Sequence, residues 1–213
     1  MTTSPSDELG GSGGAPAPVA GKVTASERAA RNGHAGLVLW LTGLSGAGKT
    51  TIATELERRL FHAGRHTYLL DGDVLRSGLG SDLGFSAGDR RENIRRAGEV
   101  AALLADAGCI VIAAFISPFR EDRERIRRLL APGRFIEVFV NAPLDVCERR
   151  DVKGLYAKAR ASQLKEFTGI SSPYETPEHA EIELHTDQLT VTEAVARIIE
   201  HLNDQTAGTT SLA

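Results

Sequence analysis

Cysteine, aromatic side chains and long apolar runs are all scarce in this chain. With 2 cysteines in 213 residues, a disulfide framework is excluded as the basis of the fold. Cys109 and Cys147 form neither a CxxC pair nor a metal-ligand spacing, so they read as buried free thiols in a reducing compartment. Aromatics are only 5% of the residues, so each one set into a polar stretch calls for a reason. No apolar run approaches the ~20 residues that span a bilayer. The N-terminus also lacks the apolar core of a signal peptide, so the chain is expected to be cytoplasmic, with no membrane partner. An excess of one charge sign is missing too. The net charge of −3 argues against nucleic acid or anionic lipid as a general partner. Any anion site must be a local concentration of Arg and Lys.

What is present is ordinary globular composition, 41% hydrophobic and 25% charged, in a length that favours one domain with a real core. Residues 1–22 are rich in Gly, Ser, Pro and Ala without apolar period and read as a disordered tail. The domain is expected over 23–203, with a frayed end over 204–213.

The apolar run Leu37–Leu41 reads as a buried strand. It stops at Gly43, and from Thr51 the pattern turns helical, with Ile52, Leu56 and Leu60 on one face. Between them lies Gly43-Leu44-Ser45-Gly46-Ala47-Gly48-Lys49-Thr50-Thr51, the G-x-x-x-x-G-K-T phosphate loop. Its glycines let backbone N–H groups turn around an anion, and the helix start adds partial positive charge. Lys49 can reach the β- and γ-phosphates, and the Thr50 hydroxyl can ligate Mg²⁺. This pattern predicts ATP and Mg²⁺ as cofactors and leaves the acceptor open.

Strands are further predicted over His66–Leu70, Cys109–Phe115, Phe135–Val140 and Ile182–Leu184. Helices alternate with them, the longest over Arg90–Ala107. Arg76–Asp89 reads as irregular. The alternation predicts an α/β, three-layer P-loop NTPase-type fold, with a parallel sheet of about five strands and helices on both faces. Ligands in such sheets lie beyond the C-terminal strand ends. The phosphate loop, Asp71–Asp73 and Ser117 all follow strands and belong at that edge. Residues 151–172 break the alternation and read as a lid, with Lys153, Lys158, Arg160 and Lys165 as mobile positive charge.

Asp71 and Asp73 offer three readings: holding Mg²⁺, taking a proton from an attacking hydroxyl, or capping a turn and helix. The run Arg76, Arg90, Arg91, Arg95, Arg96 reads either as a solvated basic face or, with Phe85 and Asn93 nearby, as a site for a ligand carrying a base and an acidic group. Ser117-Pro118 reads as helix N-cap and first helical residue, a reading compatible with Ser117 facing the transferred group.

Taken together, these motifs resemble the adenylylsulfate kinase family from about Val23 to Leu202. The resemblance rests on Gly33-His34, the phosphate loop, Leu70-Asp71-Gly72-Asp73, Leu83-Gly84-Phe85-Ser86, Asp89-Arg90, Glu92-Asn93-Ile94-Arg95-Arg96, Phe115-Ile116-Ser117-Pro118-Phe119-Arg120, Lys153-Gly154-Leu155-Tyr156, Lys158-Ala159-Arg160, and Phe167-Thr168-Gly169-Ile170 with Ser172-Pro173-Tyr174-Glu175. It implies transfer of the γ-phosphoryl of MgATP to the 3′-hydroxyl of adenosine 5′-phosphosulfate. The products would be 3′-phosphoadenosine 5′-phosphosulfate and ADP. It further implies that Phe85 and Phe167 sandwich the acceptor adenine. Arg76, Arg90 and Asn93, helped by Ile116, Ser117 and Lys153, would hold the rest of the acceptor. Asp73 would be the base, Asp71 its partner near Mg²⁺, and Arg150 a neighbour of the ATP adenine. Lys49, Asp73 and Ser117 are the expected catalytic set, and a homodimer is expected. The family commonly places a phosphoserine intermediate at the Ser117 position. In-line transfer does not need one. Val74 replaces a usual Asn and Ser171 a usual Asp, and Thr50 stands where Ser is commoner. Val74 leaves open a related kinase with a shifted acceptor. A non-catalytic nucleotide-binding module is the other alternative, and retention of Lys49, Thr50, Asp71 and Asp73 argues against it.

Overall fold

A computed structural model describes residues 23–209, with side chains to 205. The expected tail at 1–22 and the last four residues of the frayed end expected at 204–213 lie outside the described residues. Thirteen elements follow in order: α1 (Ala25–Asn32), β1 (Leu37–Thr42), α2 (Lys49–His62), β2 (Thr67–Asp71), α3 (Gly72–Ser77), α4 (Ala87–Asp106), β3 (Ile110–Ala114), α5 (Arg120–Arg127), β4 (Phe135–Asn141), α6 (Leu144–Arg150), α7 (Leu155–Arg160), β5 (Ile182–His185) and α8 (Val191–Thr209). All five strands pair in parallel, in the order β2-β3-β1-β4-β5. The predicted architecture is therefore the observed one.

The three central strands, β1, β3 and β4, are buried on both faces, as near-continuous apolar strands require. Leu39 and Leu41 of β1 join Ile52 and Leu56 of α2 and Val195 and Ile198 of α8 on one side. Val38 and Trp40 face the other way, against Ile94, Ala97 and Ala101 of α4 and Ile126 of α5. Trp40 stacks on Phe115 with ring centres 5.0 Å apart. Both cysteines are free and buried. Among the described residues, no helix is long and apolar enough to cross a membrane.

Four boundaries depart from the sequence reading. Asp71 caps an unexpected short helix, α3, which runs two residues into the stretch expected to be irregular. α4 begins at Ala87, because the Ser86 hydroxyl accepts the Asp89 N–H and caps it there. α5 begins at Arg120 behind Phe119, so Ser117 is not an N-cap and Pro118 is not the first helical residue. α8 runs to Thr209, past the predicted fray point. β2 does not flank β1, because β3 lies between them.

Candidate active site

The C-terminal strand ends meet at one edge, with Leu41 and Asp71 both in register with Ala114. From that edge the phosphate loop leaves β1 and enters α2. Gly43 has φ +152, and a Cβ there would stand 2.3 Å from the Val140 carbonyl oxygen. Gly46 has φ +75, with the Cys147 carbonyl 2.9 Å from its would-be Cβ. Only glycine fits where the loop lies this close to other backbone. Lys49 is 9% exposed. Its Nζ donates to the carbonyls of Gly43 (3.0 Å) and Leu44 (2.7 Å). Burial pushes its pKa down to about 8, because desolvation disfavours the charged form.

Asp71 performs the predicted capping and also meets the start of α2. Its Oδ1 accepts the Asp73 N–H at 2.9 Å, the capping role. Its Oδ2 accepts from the Thr50 hydroxyl at 3.1 Å. The contact reaches Asp71 through the start of α2, which carries Thr50 across β3. A hydroxyl and a carboxylate side by side are the hard oxygen donors that Mg²⁺ takes, with phosphate and water completing its shell. The residues therefore fit the ion. Asp73 is exposed and paired with Lys153.

The arginine run divides between its two readings. Arg95 and Arg96 form surface ion pairs with Glu92, Glu99 and Asp82. Arg91 lies over the Phe119 ring. Arg76 and Arg90 turn to the site. The Arg76 guanidinium sits 4.6 Å from the centre of Phe85, whose side chain is exposed, and donates to the Gly84 carbonyl. Arg90 spans two loops, donating to the Phe85 carbonyl (2.9 Å), the Thr168 hydroxyl (2.7 Å) and the Glu166 carbonyl. It thus ties the segment of Phe85 to that of Phe167. Burial lowers the pKa of both arginines. Phe167 packs edge-on against Tyr156 with its ring largely buried. Asn93 is buried on α4 beside Gly80.

The 151–172 segment is anchored by α7. Tyr156 is buried, and its hydroxyl donates to the Ser45 carbonyl of the phosphate loop at 2.9 Å. Of the four expected cations, Lys153 reaches Asp73 and Arg160 pairs with Glu148. Lys158 and Lys165 are exposed. Ser171 accepts the Phe167 N–H at 2.9 Å, so the turn is held with Ser in place of the usual Asp. Val74 is exposed.

Ser117 is 1% exposed and has φ +39. Its Oγ accepts from Trp40 Nε1 at 3.0 Å and donates to Thr42 Oγ1 at 2.9 Å. Thr42 donates in turn to the Ile116 carbonyl at 2.8 Å. On the donor side, Arg150 bonds the carbonyls of Gly46, Ala47 and Thr186, the last at 2.6 Å. The Thr186 hydroxyl donates to the Ala47 carbonyl at 2.8 Å. Two openings flank the loop. One, about 610 Å³, lies between Leu44, the end of β4 and residues 169–176. The other, about 630 Å³, lies between Thr50, Thr51 and Thr54 of α2 and Val191 and Thr192 of α8. Sequence reading passed over Thr42 and Thr186, and it quoted Tyr156 in a motif without giving it a role. Thr186 directly follows a strand, the one signal that could have flagged it.

The profile of a family described as adenylylsulphate kinase matches residues 35–185. A Geotalea daltonii protein named adenylyl-sulfate kinase is 61% identical over 175 residues, covering 82% of this chain and 86% of that protein. A solved structure of the Mycobacterium tuberculosis APS kinase, in complex with AMPPNP and APS, superposes with a TM-score of 0.76. It is 47% identical, over 79% of this chain and 98% of that one. A hexameric APS kinase from Thiobacillus denitrificans has a TM-score of 0.63 and 34% identity, over 84% of this chain and 32% of that one.

Proposed function

The chain belongs to the adenylylsulphate kinase family, and we propose on that premise that it transfers the γ-phosphoryl of ATP to the 3′-hydroxyl of adenosine 5′-phosphosulfate. One observation carries the reading. The family match covers both the phosphate loop and every acceptor-side residue, from Asp71 to Phe167.

Phosphoryl transfer asks the protein mainly for position and charge compensation. In this reading Gly43–Thr51 cradles the phosphates through backbone N–H groups, and Lys49 leaves its two loop carbonyls to meet them. Thr50 and Asp71 would hold Mg²⁺, which when bound neutralises phosphate charge. Arg150, pinned by Thr186, lies along the ATP adenine. On the acceptor side, Phe85 and Phe167 grip the adenine. Arg90 sets the separation of their two loops as well as offering charge. Arg76, Asn93, Ile116, Ser117 and Lys153 hold the remainder. Asp73 receives the proton of the 3′-hydroxyl. Lys153 pairs with that carboxylate until the acceptor hydroxyl arrives. Ser117 acts through its backbone and not as a phosphoryl carrier, because its hydroxyl is enclosed and already shared between Trp40 and Thr42. A homodimer in the cytoplasm completes the proposal, and sedimentation tests the first part of it. Sedimentation at another mass, such as that of a hexamer, would replace it.

The test is a coupled ADP-release assay with adenylylsulfate and a panel of other nucleotides. Turnover that depends on adenylylsulfate is expected. ADP release indifferent to adenylylsulfate but dependent on another nucleotide would point to a shifted acceptor. ATP binding without turnover would point to a regulatory module.

A further inference from the structure

Behind the acceptor side lies a buried ion pair that no part of the reaction above uses. Arg123 on α5 is 2% exposed and Glu137 on β4 is 5% exposed. Arg123 Nε meets Glu137 Oε1 at 2.5 Å. Its Nη1 donates to the Ser117 carbonyl at 2.7 Å and its Nη2 to the Glu175 carbonyl at 2.8 Å. All three guanidinium nitrogens are thus engaged, each by a different segment of chain. The Glu175 N–H returns to the Pro118 carbonyl at 2.8 Å, and the Glu175 carboxylate accepts the Arg120 N–H at 2.8 Å. Next to this knot, the Tyr174 hydroxyl is 3.0 Å from Thr42 Oγ1, one residue before the phosphate loop.

Two features suggest more than ordinary core packing. First, a buried pair is costly to desolvate, and an apolar pair of similar volume is often as stable. Charge here supplies direction, since a planar fork fixes two carbonyls at set angles. Second, one of those carbonyls belongs to Ser117, whose φ of +39 is rare for a residue with a side chain. A backbone held there needs surrounding contacts that over-determine it. Arg123 supplies one of them, while Trp40 and Thr42 supply the others through the hydroxyl.

We propose that Arg123 is a positioning residue for phosphoryl transfer. It locks the Ile116–Pro118 turn to the 173–175 strap, so that the acceptor's 3′-hydroxyl is held in line with the phosphate loop. Glu137 aims Arg123, and Tyr174 connects the strap to the end of β1. The proposal rests on the acceptor reading given above, and wild-type turnover of adenylylsulfate is the control that separates the two.

The test compares Arg123→Lys with the wild type in steady-state assays that vary each substrate in turn, alongside a melting curve. Lysine keeps the charge opposite Glu137 but cannot bond two carbonyls and a carboxylate in one plane. The expected result is a fall of about tenfold to a hundredfold in kcat/KM for adenylylsulfate, with KM for ATP unchanged. A purely structural pair predicts the opposite pattern. Lysine would then rescue activity while the melting temperature moved, or KM would rise equally for both substrates. Either outcome overturns the proposal. If Arg123→Lys does not fold, Tyr174→Phe decides, because it loosens the same strap without leaving a buried charge. A several-fold loss toward adenylylsulfate alone supports the proposal, and no change refutes it.

Discussion

Lys49 carries a pH signature that a surface lysine does not. Its Nζ is enclosed by the loop, and burial lowers its pKa from 10.5 to about 8. At pH 8 about half of the free protein therefore holds Lys49 neutral. Phosphate oxygens favour the ammonium, so ATP binding must draw in the missing proton. Uptake is expected to be about half a proton at pH 8, near one at pH 9 and close to none at pH 7. The profile of kcat/KM for ATP reports the free protein. It should fall as pH rises through about 8, and be about tenfold lower at pH 9 than at pH 7. The kcat profile should stay flat over the same range, because bound phosphate raises the pKa. Cys147, the thiol beside Lys49, titrates above its ordinary value because burial pushes it up, so it does not mimic this step. Calorimetric titration in buffers of different ionisation enthalpy counts the protons directly. A binding enthalpy independent of buffer at pH 8.5, or a kcat/KM profile flat to pH 9.5, would refute the reasoning. The sign for stability follows from the same shift. Between pH 8 and 10.5 the unfolded chain binds the proton that the folded chain has lost, so this residue disfavours folding below pH 8 and ceases to do so as pH rises to 10.5. The full shift corresponds to about 3 kcal/mol. Lys49→Met should therefore melt no lower than the wild type at pH 7, while its melting temperature no longer responds to ATP.

Three other substitutions test separate parts of the structure. Asp73→Asn should lose about a hundredfold or more in turnover while ATP still binds, and unchanged turnover in a discontinuous assay would remove Asp73 as the base. Thr50→Val deletes the hydroxyl that donates to Asp71. It should raise the Mg²⁺ concentration giving half-maximal activity by about tenfold, and an unmoved Mg²⁺ titration would rule out Thr50 as a ligand. Gly98→Ala puts a methyl group 2.5 Å from Ile126 Cγ1, which should cost about 1–3 kcal/mol in chemical denaturation. Adding Ile126→Val should recover part of that loss, and a strictly additive double variant would show that the clash is relieved elsewhere.

The donor half of the site was legible because its chemistry is contiguous. Glycines, lysine and threonine sit within nine residues between a strand and a helix, and local backbone geometry does the rest. The central strands were legible for a similar reason, since burial on both faces leaves near-continuous apolar runs. α3 was missed because its six residues, Gly72–Ser77, carry no period. The true start of α4 was signalled by Ser86 three residues before Asp89, a capping pattern that the surrounding glycines hid. Ser117 misled because Ser-Pro is a common helix opening. What overrides it is tertiary, a bond from Trp40 located 77 residues earlier in the chain. Arg123 was illegible for the same reason, for nothing in an arginine on a charged helix announces that its partners are two carbonyls and a carboxylate on other segments. The arginine run shows where sequence stops. It holds both a solvated face and residues turned toward the candidate site, and only their placement on α3 and α4 separates them.

The strand order bears on how the site comes into being during synthesis. β1 is made first, yet it lies in the middle of the sheet, and its two neighbours, β3 and β4, begin at residues 110 and 135. The phosphate loop rests on the carbonyls of Val140 and Cys147, about a hundred residues further on. Pairing over such separations is slow, because loop closure precedes any gain from contact. A nascent chain therefore carries the nucleotide signature long before it has a place to seat a nucleotide. The donor pocket, read first in the sequence, has no complete wall until the chain through residue 147 has been made.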